Sequence, residues 1–206
     1  MIMLVYDGNY LKPSKDARVL AILEFLSRNS GQSQFELGKQ LKLSGAMVNQ
    51  YLNKLQEENM VSFHPVNGKS FRYELTEKGE ASLRTMFLDY SSETIQFYSA
   101  VKGYIQQRLS SVREAGMKRL VLFGASETCE VFLSALLDTD FQILALCDND
   151  RTKQGTMFHG HLVCSPVMLE QMDPDAVVVT SFGKQEEICR ELQPLSEKKG
   201  FTVVRF

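Results

Sequence analysis

A change of hydrophobic pattern at Lys118 constrains the fold of this chain more than any other feature of the sequence. Before this residue, apolar side chains recur at helical spacing and then alternate in two short runs around an Asn-Gly pair. After it, near-continuous apolar runs alternate with amphipathic stretches, which is typical of an α/β fold with a parallel sheet. We therefore predict an α+β domain at residues 1–76, a helical connector at 77–117 and an α/β domain at 118–206.

Composition and charge narrow the class of protein. No run approaches the roughly 18 apolar residues of a membrane span, and Met1–Asp7 lacks the basic region and cleavage site of a signal peptide. We therefore expect a cytoplasmic protein with no membrane partner. The formal net charge of −2 is uneven, because residues 1–76 carry nine Lys and Arg against seven Asp and Glu, whereas 118–206 carry nine against thirteen. Only the first segment has the sign that favours contact with nucleic acid.

Three amphipathic helices are predicted in the first domain. The first covers residues 15–28, and Ser33 with Glu36 three residues later predicts a capping box for the second. The inward face of this second helix is expected to consist of Phe35, Leu37 and Leu41. A tight turn then leads to a third helix, which Ser44 caps and which packs inward through Val48, Leu52 and Leu55.

The opposite face of the third helix has the side chains of a DNA-reading surface. Small residues near its start allow a close approach to the major groove, Asn and Gln can pair with adenine edges, and Lys can reach phosphate or guanine. The alternative is an ordinary polar helix face. The candidate residues are Ser44, Ala46, Met47, Asn49, Gln50, Asn53 and Lys54.

A β-hairpin is predicted after these helices. Met60–His64 and Ser70–Leu75 alternate like two strands, and Asn67-Gly68 between them is a strong turn signal. The hairpin carries two basic residues, Lys69 and Arg72. Three helices followed by a hairpin with a basic tip is the order of elements in a winged helix.

Residues 15–80 resemble bacterial winged-helix regulators of the multiple-antibiotic-resistance (MarR) type. The run from Leu43 to Val61 is similar to their recognition helix and following turn, and Leu75-Thr76-Glu77-Lys78-Gly79 is similar to their wing exit. This resemblance implies a recognition helix in the major groove, with the wing residues Lys69 and Arg72 against the backbone or minor groove. The chain departs from the family in having one Lys and no Arg on the recognition helix. We therefore expect binding that is weak per protomer, or a winged helix partly adapted to protein contacts.

The connector at 77–117 has too many apolar side chains for a solvated spacer. Without proline, it predicts two helices, or one helix kinked near residues 89–92. Such a helix suggests pairing with a second copy of the chain, and hence a homodimer on double-stranded DNA. Packing against the chain's own C-terminal domain is the alternative.

A glycine turn defines the candidate ligand site of the last domain. Residues 118–123, 141–147, 175–180 and 201–206 are predicted strands, and 127–137 is a predicted helix. The turn Gly124-Ala125-Ser126 would let backbone N–H groups approach a pyrophosphate. Asp148, 24 residues after Gly124, could accept hydrogen bonds from ribose hydroxyls. Only one glycine of the three in a dinucleotide-binding fingerprint is present, so a Rossmann-like domain without a ligand is the alternative.

This domain also resembles the N-terminal nucleotide-sugar-binding domain of sugar acetyltransferases. Asp148, Asp150, Lys153, Gly155, Gly160 and Val163 follow that domain's pattern, over about residues 118–190. The resemblance implies a nucleotide diphosphate held by Gly124, Ala125, Ser126, Glu127 and Thr128, with Asp148, Asn149, Asp150 and Lys153 near the nucleoside. Ser181 and Phe182 are candidates for a second edge of the site, with an ordinary helix cap as the alternative.

The remaining chemistry-bearing residues suggest no reaction. The sequence contains no recognisable nucleophile–base pair, and four cysteines without a C-x-x-C pair favour buried free thiols over a metal or disulfide set. His159 and His161 have the spacing of two residues on one face of a strand, but no third metal ligand accompanies them.

The leading hypothesis is a dimeric transcriptional regulator that senses a nucleotide or nucleotide-sugar effector. A redox-sensing repressor of the Rex type, with NAD(H) as its effector, is a close variant. Two further hypotheses are an enzyme acting on nucleotide-sugars and an adaptor in polysaccharide biosynthesis whose modules have lost their ligands.

Overall fold

The computed structural model describes residues 14–67 and 70–206. The chain forms two compact units with a boundary between Ile95 and Gln96. That boundary lies inside a single helix, α4 (Glu77–Glu114), close to the place where the sequence predicted two helices or a kink. None of the helices in the described part of the chain is long and apolar enough to cross a membrane.

The first unit begins with three helices whose starts are fixed by serine caps. They are α1 (Lys15–Arg28), α2 (Gln34–Leu41) and α3 (Gly45–Glu57). The predicted capping box is confirmed: the Ser33 side chain accepts from the Glu36 N–H, and the Glu36 carboxylate accepts from the Ser33 N–H. These caps satisfy backbone donors that would otherwise lack a partner at a helix start.

The core of the first unit contains the apolar residues that recur at helical spacing. Leu23, Leu37, Val48 and Leu52 are buried there, and the first half of α4 contributes Leu83. The prediction that Phe35 lies in the core is wrong, because this residue is 79% exposed. The physical reason is the helical period: Leu37 and Gly38 take the inward positions of α2, and Phe35 lies two positions before Leu37, which rotates it to the outer side.

The predicted hairpin is confirmed as β1 (Val61–Asn67) paired with β2 (Ser70–Leu75) in antiparallel register. Tyr73 is buried and anchors the hairpin to the helices, and its backbone bridges Gln32 in the α1–α2 loop. The tip residue Lys69 lies outside the described residues.

The second unit is a six-stranded sheet with helices on both faces. Its strands are β3 (Arg119–Phe123), β4 (Gln142–Cys147), β5 (Met157–Phe158), β6 (His161–Cys164), β7 (Ala176–Val179) and β8 (Thr202–Val204). Its helices are α5 (Glu127–Leu136) and α6 (Gln185–Lys199), with short 3-10 helices at Pro166–Gln171 and Phe182–Lys184. The predicted strand at 141–147 and helix at 127–137 are confirmed to within a residue or two.

The strand order places a crevice beside the first strand of the sheet. The order is β5-β6-β4-β3-β7-β8, and all pairs are parallel except β5 with β6. The chain moves outward from β3 to β6 and then returns to the other side of β3 for β7. Ligands of open α/β sheets bind at such a reversal, beyond the carboxyl ends of the strands.

The two faces of this sheet have separate cores. On one face, Phe132 of α5 and Ile105 of α4 are buried against Leu122. On the other face, α6 packs Ile188 against Val121. The second half of the predicted connector is therefore part of this core, as the alternative interpretation of the sequence proposed.

Candidate DNA-binding face and candidate nucleotide-binding turn

The rotation of α3 is set by its buried side. Val48, Leu52 and Leu55, spaced by four and three residues, are almost completely buried. Because these residues fix the inward face, the opposite face is presented to solvent. The exposed residues on it are Ala46, Asn49, Gln50, Asn53 and Lys54, and Met47 is half-buried beside them.

The turn before α3 is held by local hydrogen bonds. The Ser44 hydroxyl accepts from the Met47 N–H at 3.3 Å, so this predicted site residue acts as a helix cap. The Gln34 side chain donates to the Gly45 carbonyl at 3.1 Å. A Cβ atom at Gly38 would lie 3.1 Å from the Leu43 carbonyl oxygen, so the α2–α3 turn is tightly packed.

Positive charge on this face comes from more than one element. Lys54 lies 3.6 Å from Glu58, so part of its charge is balanced locally. Arg72 is exposed on β2. A groove of about 570 Å³ between α1 and α3 adds Lys15 and Arg18, which the sequence interpretation missed. No signal in the sequence could have placed them there, because their position beside α3 depends on tertiary packing.

The wing exit is joined to the end of α3 by a cluster of short contacts. The Thr76 hydroxyl donates to the Asn59 carbonyl at 2.7 Å, and the Thr76 N–H donates to the Met60 carbonyl at 3.1 Å. The same hydroxyl accepts from the Gly79 N–H at 3.0 Å and so caps α4. The Leu75–Gly79 motif therefore has a structural role, which is to hold the end of β2 and the start of α4 against the turn that follows α3.

In the second unit, the predicted turn follows β3 and is closely packed against the end of β7. Gly124 has a φ of +113°, and a Cβ atom on it would lie 3.0 Å from the Ser181 Cβ. The buried Thr180 hydroxyl lies 2.6 Å from the Gly124 carbonyl and 2.9 Å from the Phe123 carbonyl. Only glycine readily combines this φ with such close packing. Thr180 is a positioning residue that the sequence interpretation did not include.

Asp148 lies beside this turn, but its carboxylate is engaged. One oxygen accepts from the Ala125 N–H at 2.8 Å and from the Lys153 ammonium at 3.2 Å. The other accepts from the Asp150 N–H at 2.9 Å. Lys153 also donates to the Ala125 carbonyl at 2.7 Å. A ligand that used the Ala125 N–H or the Asp148 carboxylate would have to compete with these bonds.

The other predicted nucleotide-binding residues near Asp148 each contact a different partner. The Asn149 side chain donates to Glu191 on α6 at 2.7 Å. Asp150 accepts from the side chain and backbone of Thr152, and these bonds hold the pKa of its carboxyl below the usual value. Ser181 is half-buried beside Gly124. The exposed Phe182 ring meets Phe132 edge-on at 5.9 Å.

A cavity of about 280 Å³ adjoins the start of α5. Its lining residues are Ala125, Ser126, Glu127, Glu130, Lys153, Thr156, Phe158 and Val163. Ser126 makes no side-chain cap to α5, and its hydroxyl instead bonds Thr128 at 2.9 Å. The carboxylates of Glu127 and Glu130 give this wall negative charge, which disfavours a phosphate inside the cavity itself.

One sequence interpretation of this region is wrong. His159 and His161 do not share a strand face, because His159 has a φ of +46° in the turn between β5 and β6. Its ring lies 3.5 Å from the Glu130 carboxylate. The hairpin was missed because β5 has only two residues, too few to show an alternating pattern.

The thiols follow the predicted trend toward burial. Cys129 and Cys147 are buried, and Cys164 and Cys189 are half-buried, all as free thiols. Burial raises the pKa of Cys129 to about 11 and that of Cys147 to about 12. Both are therefore neutral at physiological pH.

Two family models match the chain, one in each unit. A model described as winged helix-turn-helix DNA-binding matches residues 15–62, and one described as C2185-like, N-terminal, matches residues 116–200. No curated protein matches the chain.

Solved structures that are similar to part of the chain include three transcriptional regulators. The PcaV regulator of Streptomyces coelicolor is 17% identical, with 50% of this chain and 82% of that chain covered and a TM-score of 0.39. MepR of Staphylococcus aureus is 18% identical, with 46% and 78% covered and a TM-score of 0.34. A MarR regulator from Methanosarcina mazei Go1 is 24% identical, with 39% and 61% covered and a TM-score of 0.34.

The order of elements in the first unit agrees with the family model that matches it. Three helices precede a two-stranded hairpin, and the third helix presents a polar face to solvent. This order and the match over residues 15–62 together show a winged helix-turn-helix in the N-terminal unit, a fold that the matching model describes as DNA-binding.

Proposed function

We propose that this protein is a DNA-binding transcriptional regulator that responds to a nucleotide or nucleotide-sugar. The observation that carries the proposal is the outer face of α3, where Asn49, Gln50 and Asn53 are exposed on a helix of the winged helix-turn-helix class. Asn and Gln side chains on such a helix form paired hydrogen bonds with adenine in the major groove. Arg72 on the wing, and Lys69 before it in sequence, would contact the flanking backbone.

We further propose that two copies of the chain pair through the middle of α4. Leu88, Ile95 and Phe97 are 67%, 62% and 71% exposed, although both ends of the same helix are buried in the cores of the two units. Leu88 and Ile95 are seven residues apart and so lie on one side of the helix, which is the spacing that a partner helix can cover.

The C-terminal unit is the proposed sensor. Its parallel strands, counted from β3, run in the order 3-2-1-4-5, which is that of a Rossmann-like sheet, and Gly124 lies at the reversal of that order. Because the Ala125 N–H is engaged by Asp148, a pyrophosphate would bind the N–H groups of Glu127 and Thr128 at the start of α5, outside the cavity that the Glu127 and Glu130 carboxylates line. The first N–H groups of a helix have no partner within it and carry partial positive charge.

The DNA-binding part is tested by selecting duplexes from a random pool with the full-length protein. A dimeric winged helix should enrich an inverted repeat whose half-sites are about one helical turn apart. Substitution of Asn49 or Gln50 by Ala should weaken binding to the enriched duplex by about 1–3 kcal/mol for each paired base interaction that is removed. Enrichment of no sequence at all would refute a regulator and support an adaptor.

The sensing part is tested by thermal shift against NAD, NADH, nucleotide-sugars and free nucleotides. A ligand at 100 times its dissociation constant stabilises the unit it binds by about 2.7 kcal/mol. Replacing Gly124 with Ala should remove the response, because the added Cβ would crowd Ser181. Preference for NADH would favour the redox-sensing variant. Absence of a shift with every compound would refute a nucleotide sensor.

A further inference from the structure

Two cysteines lie side by side at the carboxyl ends of adjacent strands in the second unit. In the parallel pairing of β4 with β6, Cys147 is in register with Cys164. Residues in register on neighbouring strands have Cα atoms about 4.8 Å apart. This separation is within the range of about 4.4–6.8 Å that disulfides span.

The two thiols also lie on the same face of the sheet. Cys147 is buried in the core that α6 covers, and Cys164 packs against that core. Leu146 and Val163, one residue earlier in the same register, lie together in the core of the other face. Burial first, and then the nearby Cys164 thiol, raise the pKa of Cys147. The register, the shared core and this mutual effect all place the two sulfurs close to each other.

The pair combines an accessible thiol with a protected one. Cys164 is half-buried, so a small oxidant can reach its sulfur, whereas Cys147 is buried. A reactive cysteine with a resolving cysteine beside it is the usual arrangement of a redox-sensitive pair. We propose that Cys147 and Cys164 are a modification site, at which a peroxide converts the two thiols into a reversible disulfide. This inference goes beyond the proposed function and does not rest on it.

The reaction has two steps. The Cys164 sulfur, having lost its proton to water, attacks the peroxide, so that an S–O bond forms, the O–O bond breaks and hydroxide or alkoxide leaves. The Cys147 sulfur, after losing its own proton, then attacks the Cys164 sulfur, so that the S–S bond forms, the S–O bond breaks and hydroxide leaves. The departing oxyanions take up the two protons. Two thiols and one peroxide therefore yield one disulfide, one water and a second water or an alcohol.

The closeness of the sulfurs offsets the weak acidity of the buried thiol. A pKa of about 12 for Cys147 leaves about one thiol in 10⁵ ionised at neutral pH. Well-oriented groups within one molecule reach effective concentrations of about 10⁵ M or more. The second step can therefore compete with further oxidation of Cys164.

The geometry predicts a disulfide that is easily reduced. Cβ atoms in register across a parallel pair are about 4.8 Å apart, whereas a disulfide holds them at about 3.8 Å, so β6 would move about 1 Å toward β4. β6 pairs with β4 through two residues at its end, so such a movement disturbs little of the sheet. Strained disulfides are the labile and regulatory ones, and those of reducing compartments are usually transient.

Movement at this pair would reach the glycine turn. The Cys147 carbonyl accepts from the Gly124 N–H at 2.7 Å, and the Cys164 carbonyl accepts from the Asp148 N–H at 3.3 Å. Asp148 in turn accepts from the Ala125 N–H. Oxidation should therefore loosen the turn, and hydrogen exchange at the Gly124 N–H should become faster.

The test is treatment of the full-length protein with excess hydrogen peroxide, followed by peptide mapping without reduction. Mass spectrometry should find a Cys147–Cys164 cross-link that dithiothreitol reverses. It should exceed every other disulfide by at least about tenfold, because these two sulfurs are already adjacent. In Cys147→Ala, which circular dichroism should show to be folded, Cys164 should instead accumulate as a sulfenic acid that dimedone labels.

The matched control is Cys189→Ser, because Cys189 packs against the same core from α6. Burial raises its pKa and the nearby Arg205 partly offsets this, which places Cys189 near β8, at the opposite edge of the sheet from the pair. This variant should form the cross-link as fully as the unsubstituted protein. Oxidation of Cys164 to sulfinic acid, or its bonding to another cysteine, without a bond to Cys147 would overturn the proposed site. A cross-link that leaves exchange at Gly124 unchanged would overturn its effect on the turn.

Discussion

Replacement of Gly79 by Ala should destabilise the first unit strongly, although Ala is normally the better helix residue. An ideal Cβ at Gly79 would lie 2.0 Å from the Met60 carbonyl oxygen, which is backbone and cannot rotate away. Contacts of this kind are not observed below 3.0 Å, so the start of α4 would have to move by about 1 Å from the end of α3. Thr76 lies between them and would move with α4.

The magnitude follows from the bonds that such a movement breaks. The Thr76 N–H would be drawn away from the Met60 carbonyl and the Thr76 hydroxyl from the Asn59 carbonyl, now at 3.1 and 2.7 Å. Each net hydrogen bond contributes about 1 kcal/mol, and residual crowding costs about 2 kcal/mol. The helix propensity of Ala offsets about 1 kcal/mol. The free energy of unfolding of the first unit should therefore fall by about 3 kcal/mol.

Urea denaturation followed by circular dichroism measures this change. With a denaturant slope of about 2 kcal/mol/M, the midpoint of the first unit should fall by about 1.5 M. The control is Gly103→Ala, which lies on the same helix but in the second unit and where a Cβ would meet nothing within 4 Å. It should leave the midpoint of the first unit unchanged and raise the stability of the second unit by up to about 1 kcal/mol. A Gly79→Ala protein whose first unit unfolds at the same midpoint as in the control would refute the reasoning.

Three further predictions concern the second unit. The pKa of Asp175 is lowered to about 2, chiefly by the backbone N–H groups of Arg119 and Lys118 and then by the Arg119 side chain. The ionised Asp175 should therefore contribute fully to the free energy of unfolding above about pH 4, and this contribution should be lost as the pH falls toward 2. When the free energy of unfolding is measured against pH, the Asp175→Asn variant should not show this acid loss. Alkylation mapped by mass spectrometry should label Cys129 and Cys147 at least about tenfold more slowly than the half-buried thiols, because burial disfavours their thiolates; equal rates would contradict it. Asp148→Ala should accelerate hydrogen exchange at the Ala125 N–H on the order of tenfold, through loss of a charge-assisted bond; an unchanged rate would show that the carboxylate does not hold the turn.

The sequence was most informative about features that depend only on residues close together in the chain. The capping box at Ser33 and the buried spacing of Val48 and Leu52 could be predicted because they depend on helix geometry alone. Four of the six strands of the sheet, β3, β4, β7 and β8, were likewise visible as apolar runs, since strands buried on both faces need no alternation. Phe35 was misplaced because its apolar character outweighed its angular position.

Features that depend on tertiary contact were beyond the reach of the sequence. Lys15 and Arg18, which line the groove beside α3, look like any helix surface until α1 is packed beside α3. Asp148 was correctly expected near the glycine turn, yet nothing in the sequence distinguishes a carboxylate open to ribose from one bonded to Ala125. Gly79 could be recognised as part of a motif from the sequence. Why this position needs glycine, which is the close approach of the Met60 carbonyl, is visible only in the structure.

The measurement that tests the central claim most directly is the affinity of the full-length protein for its selected duplex and for a shuffled duplex, as salt is raised. A winged-helix regulator should prefer the selected duplex by at least about 10³-fold. Its affinity for both duplexes should fall linearly with log salt. Equal affinity for the two sequences, or affinity that does not change with salt, would contradict the assignment of α3 as a DNA-reading helix.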